Sequence, residues 1–354
     1  AFDRVAGQPR ERLARVYPDG SLDATLDVMV EHAHLAQLEY VGVQPDGRVL
    51  LGGVFERVDT QPEYQLVRLW PDGRVDGGFN PGLEDALIVN SAAVLPDGKI
   101  LVAGSFGASG AQVTNNIRRL NADGSIDESF VAGTDSWVKA LTVQRDGKIL
   151  IGGKFDSVNG VPRTGLARLH ADGSLDASFA PGTNDRVSVI VPLPDQQLLI
   201  AGHFTQVGGV SRNYLARLRP DGRLDPTFNA QIGAQQYDAV LALLVQRDGK
   251  IVVGGQFQTI AGHHRSGLAR LDANGGLDLD FDPTITGHAQ TVLTLAARAD
   301  GKFLAGGMFE AIAGEVRKSV ALVNENGSVD AAWIADTDAD GFLTTLAIQA
   351  DGKA

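Results

Sequence analysis

Gly147–Phe179 reads GKILIGGKFDSVNGVPRTGLARLHADGSLDASF, and the rest of the chain is a set of variations on it. Its first phrase, DGKIL-GG-F, recurs at Asp46–Phe55, Asp97–Phe106, Asp146–Phe155, Asp248–Phe257 and Asp300–Phe309, with a worn copy at Asp195–Phe204 and a cut-off one at Asp351–Ala354. Its second phrase, RL-xDGSLDxSF, recurs at Arg15–Leu26, Arg68–Phe79, Arg119–Phe130, Arg168–Phe179, Arg217–Phe228 and Arg270–Phe281, and a degenerate copy ends at Trp333. A fixed period of about 50 residues marks a repeat architecture whose units must stack to bury a core.

Each repeat reads as four strands. Trp137–Gln144 (WVKALTVQ) is the first. Arg145–Lys148 (RDGK) is a two-residue hairpin turn in which Asp-Gly supplies positive φ. Ile149–Phe155 is an apolar run covered on both faces, and Asp156–Arg163 is a longer loop. Gly165–His170 and Ser174–Phe179 flank a second Asp-Gly turn. Short strands with turn signals at even spacing and no 3.6-residue period indicate an all-β fold. Four antiparallel strands repeated radially make a propeller blade. A linear β-solenoid is the alternative, but its coils are normally shorter than this period.

Repeats begin at Phe2, Phe55, Phe106, Phe155, Phe204, Phe257 and Phe309, so residues 1–354 predict a single seven-bladed β-propeller domain. Phe2–Arg15 matches Phe155–Arg168, and Phe342–Gln349 matches a first strand. N- and C-terminal strands would therefore share the closing blade and protect its edges. One strand of that blade, the ILIGG equivalent, is missing. Either the chain continues beyond Ala354 as part of a longer precursor, or the closing blade has three strands. The first strands carry small residues near the axis: Ser91, Ala140, Ala242, Thr294 and Thr345.

The paired phrases DGKILIGGKF and RLHADGSLDASF resemble the delta-sixty repeat of bacterial proteins, over Phe2–Lys353. That resemblance implies a propeller in exported or surface-attached, often modular proteins. It implies no enzymatic activity and no shared functional residues.

Composition narrows the partners. A net charge of −12 argues against nucleic acid or an anionic membrane surface, and no apolar run is long enough to insert into a bilayer. With no cysteine there is neither a disulfide nor a thiolate metal site. The recurring Asp of SLD (Asp23, Asp76, Asp127, Asp176, Asp225, Asp278, Asp330) and the Arg eight residues before it read as fasteners between strands. The Gly-Gly pairs read as places of close backbone approach. A second Arg series, Arg10, Arg163, Arg212, Arg265 and Arg317, reads as pairing with neighbouring carboxylates.

Variable, longer loops join the blades, so that face is the candidate binding face. Its channel-mouth positions are His34, Asn90, Asp135, Trp137, Asp185 and Arg186, followed by Tyr237, Asp238, His288, Gln290 and Phe342. Acids, amides and aromatics round a concavity suit a glycan or a protein partner. Asp336–Gly341 (DTDADG) alternates carboxylates before a Gly, the first half of a calcium loop, with Asp336, Asp338 and Asp340 as ligands; its twelfth position is Ala347, not Glu. No nucleophile motif of the G-x-S-x-G type and no zinc spacing of histidines occurs. The expected function is thus a non-enzymatic binding or structural propeller, extracellular, at the cell surface or periplasmic, with further domains of the precursor as additional partners. The alternative is a hydrolase or lyase acting on extracellular polysaccharide or peptide at the channel mouth, for example through Asp185 with Asp238.

Overall fold

The computed structural model describes residues 2–31, 37–59, 61–62, 65–83, 86–107, 116–233, 238–335, 337 and 341–354. Among them every regular element is a β-strand. Ile149–Gly153 is buried at every position, as a strand covered on both faces must be. It pairs antiparallel with Val138–Val143 on one side and Leu166–Leu169 on the other. The same order recurs around Val49–Val54, Ile100–Phe106, Leu198–Gly202, Ile251–Gln256 and Phe303–Met308. A fourth segment is held by one antiparallel bridge per unit, such as Leu169 with Leu175 and Leu218 with Leu224.

The Asp-Gly turns differ from the expected two-residue hairpin. Gln144 N–H donates to Lys148 O at 2.8 Å, and Gly147 N–H to Gln144 O at 2.9 Å, which encloses three residues. Gly147 has φ 80°, whereas Asp146 is absent from the left-handed region. This is a turn closed by a glycine bulge. Asp146 stays right-handed because its Oδ1 accepts the Lys148 N–H at 3.2 Å. Where the worn copy lacks the glycine, Gln196 takes φ 68°.

The long loops carry structure that was not read from the sequence. Ser157–Val158 and Val161–Pro162 form a two-residue-strand hairpin, repeated at Gln206–Ser211, Thr259–His264 and Ala311–Val316. Each bridges back to the loop that enters its own unit, for example Val158 to Thr134 and Val207 to Thr183. The loop-bearing face is therefore stitched, not loose.

The core lies between successive sheets. Leu150 and Leu166 of one sheet pack with Val187, Ile190, Leu198 and Phe204 of the next. The recurring Phe ends buried: Phe55, Phe155, Phe204 and Phe257 expose none of their surface.

The recurring Arg and Asp fasten the units, as expected. Arg168 Nε donates to Asp176 Oδ2 at 2.9 Å, its guanidinium lies 4.5 Å from the Phe179 ring centre, and its Nη1 donates to Pro220 O of the next unit at 2.8 Å. Lys148 completes the cluster 3.2 Å from Asp176. Burial alone would raise the Asp176 pKa, but the Ser178 hydroxyl, Lys148 and Arg168 together hold it well below the usual carboxylate range. Equivalent links to the next unit run from Arg15 to Pro71, Arg68 to Ala122, Arg119 to Ala171, Arg217 to Ala273 and Arg270 to Glu325. Leu322 replaces the Arg in the last copy, and there Arg298 donates to Pro18 O at 2.6 Å instead. The second Arg series lies chiefly on backbone carbonyls, as Arg163 does on Pro162 O and Ala177 O. Arg10 and Arg265 also meet carboxylates, at 3.4 Å from Asp27 and 3.0 Å from Asp282.

The two ends of the chain meet. Val16 and Ala354 exchange backbone hydrogen bonds at 2.8 and 3.0 Å, Lys353 Nζ reaches Asp23 Oδ2 at 3.0 Å, and Val5 bridges to Thr337. Phe2, Val5, Val16, Leu304, Leu322 and Trp333 share one apolar cluster with Leu343 and Leu346 beside it.

Candidate functional site

The site begins with a register shift. In the first strand of six of the three-stranded sheets the pairing with the second strand skips one equivalent residue, Glu39, Asn90, Lys139, Ser188, Leu241 and Leu293, and Ala86–Val94 skips Leu87 besides. Bulged residues leave the ladder and are re-aimed, which is why bulges gather at functional sites. All six equivalent residues line one open cavity of about 760 Å³.

The Gly-Gly pairs are what let the bulge form. A Cβ on Gly153 would collide with the Trp137 carbonyl oxygen, and one on Gly202 with that of Arg186; Gly53, Gly255 and Gly307 face the same clash. The first glycine serves a different neighbour. A Cβ on Gly152 would lie 2.9 Å from Val187 O and 3.1 Å from its Cγ1, in the adjoining unit. The close backbone approach read from the sequence is thus two approaches, one within the sheet and one between sheets.

The cavity wall divides into a polar and an apolar part. On the polar side Lys139 Nζ ion-pairs with Glu39, reaching past the intervening unit. Asn90 Nδ2 donates to Val138 O at 2.9 Å. The Arg186 guanidinium lies 5.7 Å from the Trp137 ring centre, and its Nε donates to His203 Nδ1 at 2.8 Å. Burial, then the charge of Arg186, pushes the His203 imidazole down to about 4, so it is neutral at physiological pH. Leu241, Leu293, Met308 and Phe342 make the apolar side. Among the described residues no group of three or more acidic or histidine side chains is placed to hold a metal ion.

Of the residues expected at the channel mouth, Asn90, Trp137, Arg186 and Phe342 line the cavity. Asp135 instead caps a turn, accepting from the Asp156 and Ser157 amides at 2.9 and 3.1 Å. Asp185 accepts from the Arg186 amide at 2.7 Å and pairs with Lys154 at 3.1 Å. Asp238 is buried beside Tyr214. His288 is fully exposed, 3.8 Å from Glu310, and Gln290 accepts from Ser266 Oγ at 2.7 Å. His34, Tyr237, Asp336, Asp338 and Asp340 lie outside the described residues. The cavity also contains residues not expected there: Glu39, Lys139, Ser188, His203, Leu241, Leu293 and Met308. A signal for some of them was present. Ser105, His203 and Met308 occupy the variable place between the glycine and the Phe that end the first phrase of each repeat.

An all-β chain of repeated antiparallel sheets with an open cavity among their first strands belongs to the propeller class. The fold resembles virginiamycin B lyase from Staphylococcus aureus (TM-score 0.53, 13% identity, 86% of each chain covered). It also resembles a streptogramin B lyase (TM-score 0.50, 15% identity, 86% of this chain and 85% of that one). A third match is the extracellular domain of a protein described as a hybrid two-component system from B. thetaiotaomicron (TM-score 0.53, 14% identity, 84% of this chain and 34% of that one). No curated protein matches the chain in sequence. The chain belongs to the family described as "domain of unknown function (DUF5122) beta-propeller", matched in seven segments: residues 1–26, 44–79, 95–130, 144–179, 193–228, 246–281 and 298–332. Among the described residues no helix is long and apolar enough to cross a membrane.

Proposed function

We propose that the chain is a seven-bladed propeller, with four short strands to a blade, and that it is a binding module, not an enzyme. Support for the seven-membered ring comes from the guanidinium-to-carbonyl links between units. They number seven, and the last, Arg298 to Pro18, returns to the first unit. The pairing of Val16 with Ala354 supports closure by N- and C-terminal strands in one blade.

One observation carries the functional reading: identity varies from unit to unit at the bulged position, while the residues fastening the sheets repeat. A position under packing constraint alone would repeat like the others. The charged, aromatic and apolar groups gathered there suit recognition of a protein or glycan partner in the cavity on the loop-bearing face. An exported bacterial setting, extracellular or at the cell surface, follows from the resemblance of the repeat to the delta-sixty type. Catalysis fits less well. His203 at about 4 is a weak base, and Asp185 and Asp238 are committed to other contacts away from the cavity wall.

The test is binding of the chain to glycan and peptide arrays, beside a Trp137→Ala, Arg186→Gln double variant of unchanged thermal midpoint. Ligands retained by the native chain and lost by the variant are expected. An array on which the two bind alike, or on which neither binds, overturns the cavity as the site.

A further inference from the structure

The recurring arginines each face an aspartate; Arg186 does not. Its Nε and one terminal nitrogen both face the His203 ring, and no carboxylate among the described residues lies within ion-pairing distance of it. A neutral imidazole has a single acceptor nitrogen, so one of the two N–H groups facing it is left without an acceptor. The opposite edge, Nη1 with Nη2, is turned away from the ring, its Nη1 makes no hydrogen bond among the described residues, and it matches the two oxygens of a carboxylate. His203 therefore positions Arg186 without neutralising it. The other cation on the wall, Lys139, is already paired with Glu39. Arg186 feels the field of Asp185, whose carboxylate is paired with Lys154, but has no ion-pair partner of its own among the described residues, and it is half-buried in a cavity of a protein whose net charge is −12. A charge removed from water and left unpaired is costly, and an anionic ligand relieves that cost.

The remaining wall says what carries the anion. Leu241, Leu293 and Met308 present apolar surface to the same cavity, which would strip water from sugar hydroxyls without replacing their hydrogen bonds. Asn90 and Ser188 line it too, and neither Asn90 Oδ1 nor Ser188 Oγ takes part in a hydrogen bond among the described residues. These are partners for peptide N–H and C=O groups.

Building on the cavity as the ligand site, we infer that its ligand is an acidic, otherwise apolar peptide segment. Its carboxylate forks onto Arg186, its apolar side chains lie on Leu241, Leu293 and Met308, and its backbone meets Asn90 and Ser188. A side chain one methylene longer or shorter is tolerated in such an open cavity, whereas loss of the carboxylate is not.

The probes are acetyl-Leu-Glu-Leu-Ala-amide and its Gln counterpart, titrated by Trp fluorescence and calorimetry against the whole chain. The Glu peptide is expected to bind the native chain at least tenfold more tightly than the Gln peptide. Arg186→Gln should erase that difference, Arg186→Lys should restore part of it, and Leu241→Asn should weaken both peptides alike; all three should keep the native thermal midpoint. Equal binding of the Glu and Gln peptides to the native chain, or a difference that survives in Arg186→Gln, overturns the carboxylate assignment. If the Gln peptide binds as tightly as the Glu peptide, or if neutral cellotetraose binds and neither peptide does, and that binding is lost in Trp137→Ala, the cavity reading stands and only the assignment to an acidic peptide fails. If no probe binds at all, both fail.

Discussion

Arg168 and Lys139 belong to one sheet and show opposite patterns. The arginine represented by Arg168 occurs in six of the seven units, each time with the same aspartate and a carbonyl of the next unit, and in five of them over the same aromatic ring. Lys139 has counterparts only in position: Glu39, Asn90, Ser188, Leu241 and Leu293. The first region repeats because each sheet must be joined to the next in the same way. The second varies because the bulge takes its side chain out of the ladder, so nothing in the packing dictates what it is. In this repeat protein, then, the repeated residues report on assembly, and the unrepeated ones are where recognition is proposed.

The comparison is broken most severely from the repeated side. Phe155→Ala should cost about 3–5 kcal/mol in urea unfolding, since the ring is buried between two sheets and the cavity left behind cannot collapse far. Arg168→Ala comes next, at about 2–3 kcal/mol, because Asp176 loses its charge-assisted partner and Pro220 O its donor. Ser188→Ala, at a bulged position, should stay within about 0.5 kcal/mol.

Acid sharpens the same contrast. Asp23, Asp127 and Asp176 are held below the usual carboxylate range, chiefly by hydroxyl and Lys hydrogen bonds and by the Arg of each cluster, against the opposing effect of burial. A depressed folded-state pKa gives stability that is fully present above the unfolded value, near 3.9, and is lost as pH falls toward the folded one. Stability should therefore be level above about pH 5 and fall below about pH 4. Asp127→Asn with Asp176→Asn should flatten that acid limb, at lower stability throughout; an unchanged acid limb would show that other groups govern it.

Much of this was legible in the sequence. The second strands and the Arg–Asp fasteners followed from the repeated phrases. Three things did not. The Asp-Gly turn was misjudged because two glycine-containing hairpins share one sequence signal, and only the Asp146 cap on Lys148 N selects between them. The hairpin at Ser157–Pro162 spans two residues a side, too short to show a period. The bulge depends on pairing between strands, which one strand's pattern does not contain. The small residue after it and the Gly-Gly opposite were visible, but their joint meaning needs the register. Asp135 and Asp185 were placed at the channel mouth because loop acids beside a cavity look alike in sequence whether they bind a ligand or cap a turn.

Two smaller effects remain. Gln196→Gly should stabilise by about 0.5–1 kcal/mol in the same urea assay, because a glutamine at φ 68° sits where the other repeats place glycine. Calcium at millimolar concentration should raise the thermal midpoint of the native chain slightly, and Asp338→Ala should remove the rise, if the Asp336–Gly341 loop takes the ion; no rise on adding calcium removes that loop as a metal site.

The most direct measurement sets Arg168→Ala beside Arg186→Gln in one pair of assays, urea unfolding and Glu-peptide affinity. Arg168→Ala should lose about 2–3 kcal/mol of stability and bind the peptide with native affinity while folded. Arg186→Gln should keep its stability within about 0.5 kcal/mol and lose at least tenfold in affinity. Equal losses of stability in the two variants, or undiminished binding by Arg186→Gln, would contradict the division of this protein into repeated fasteners and an unrepeated site.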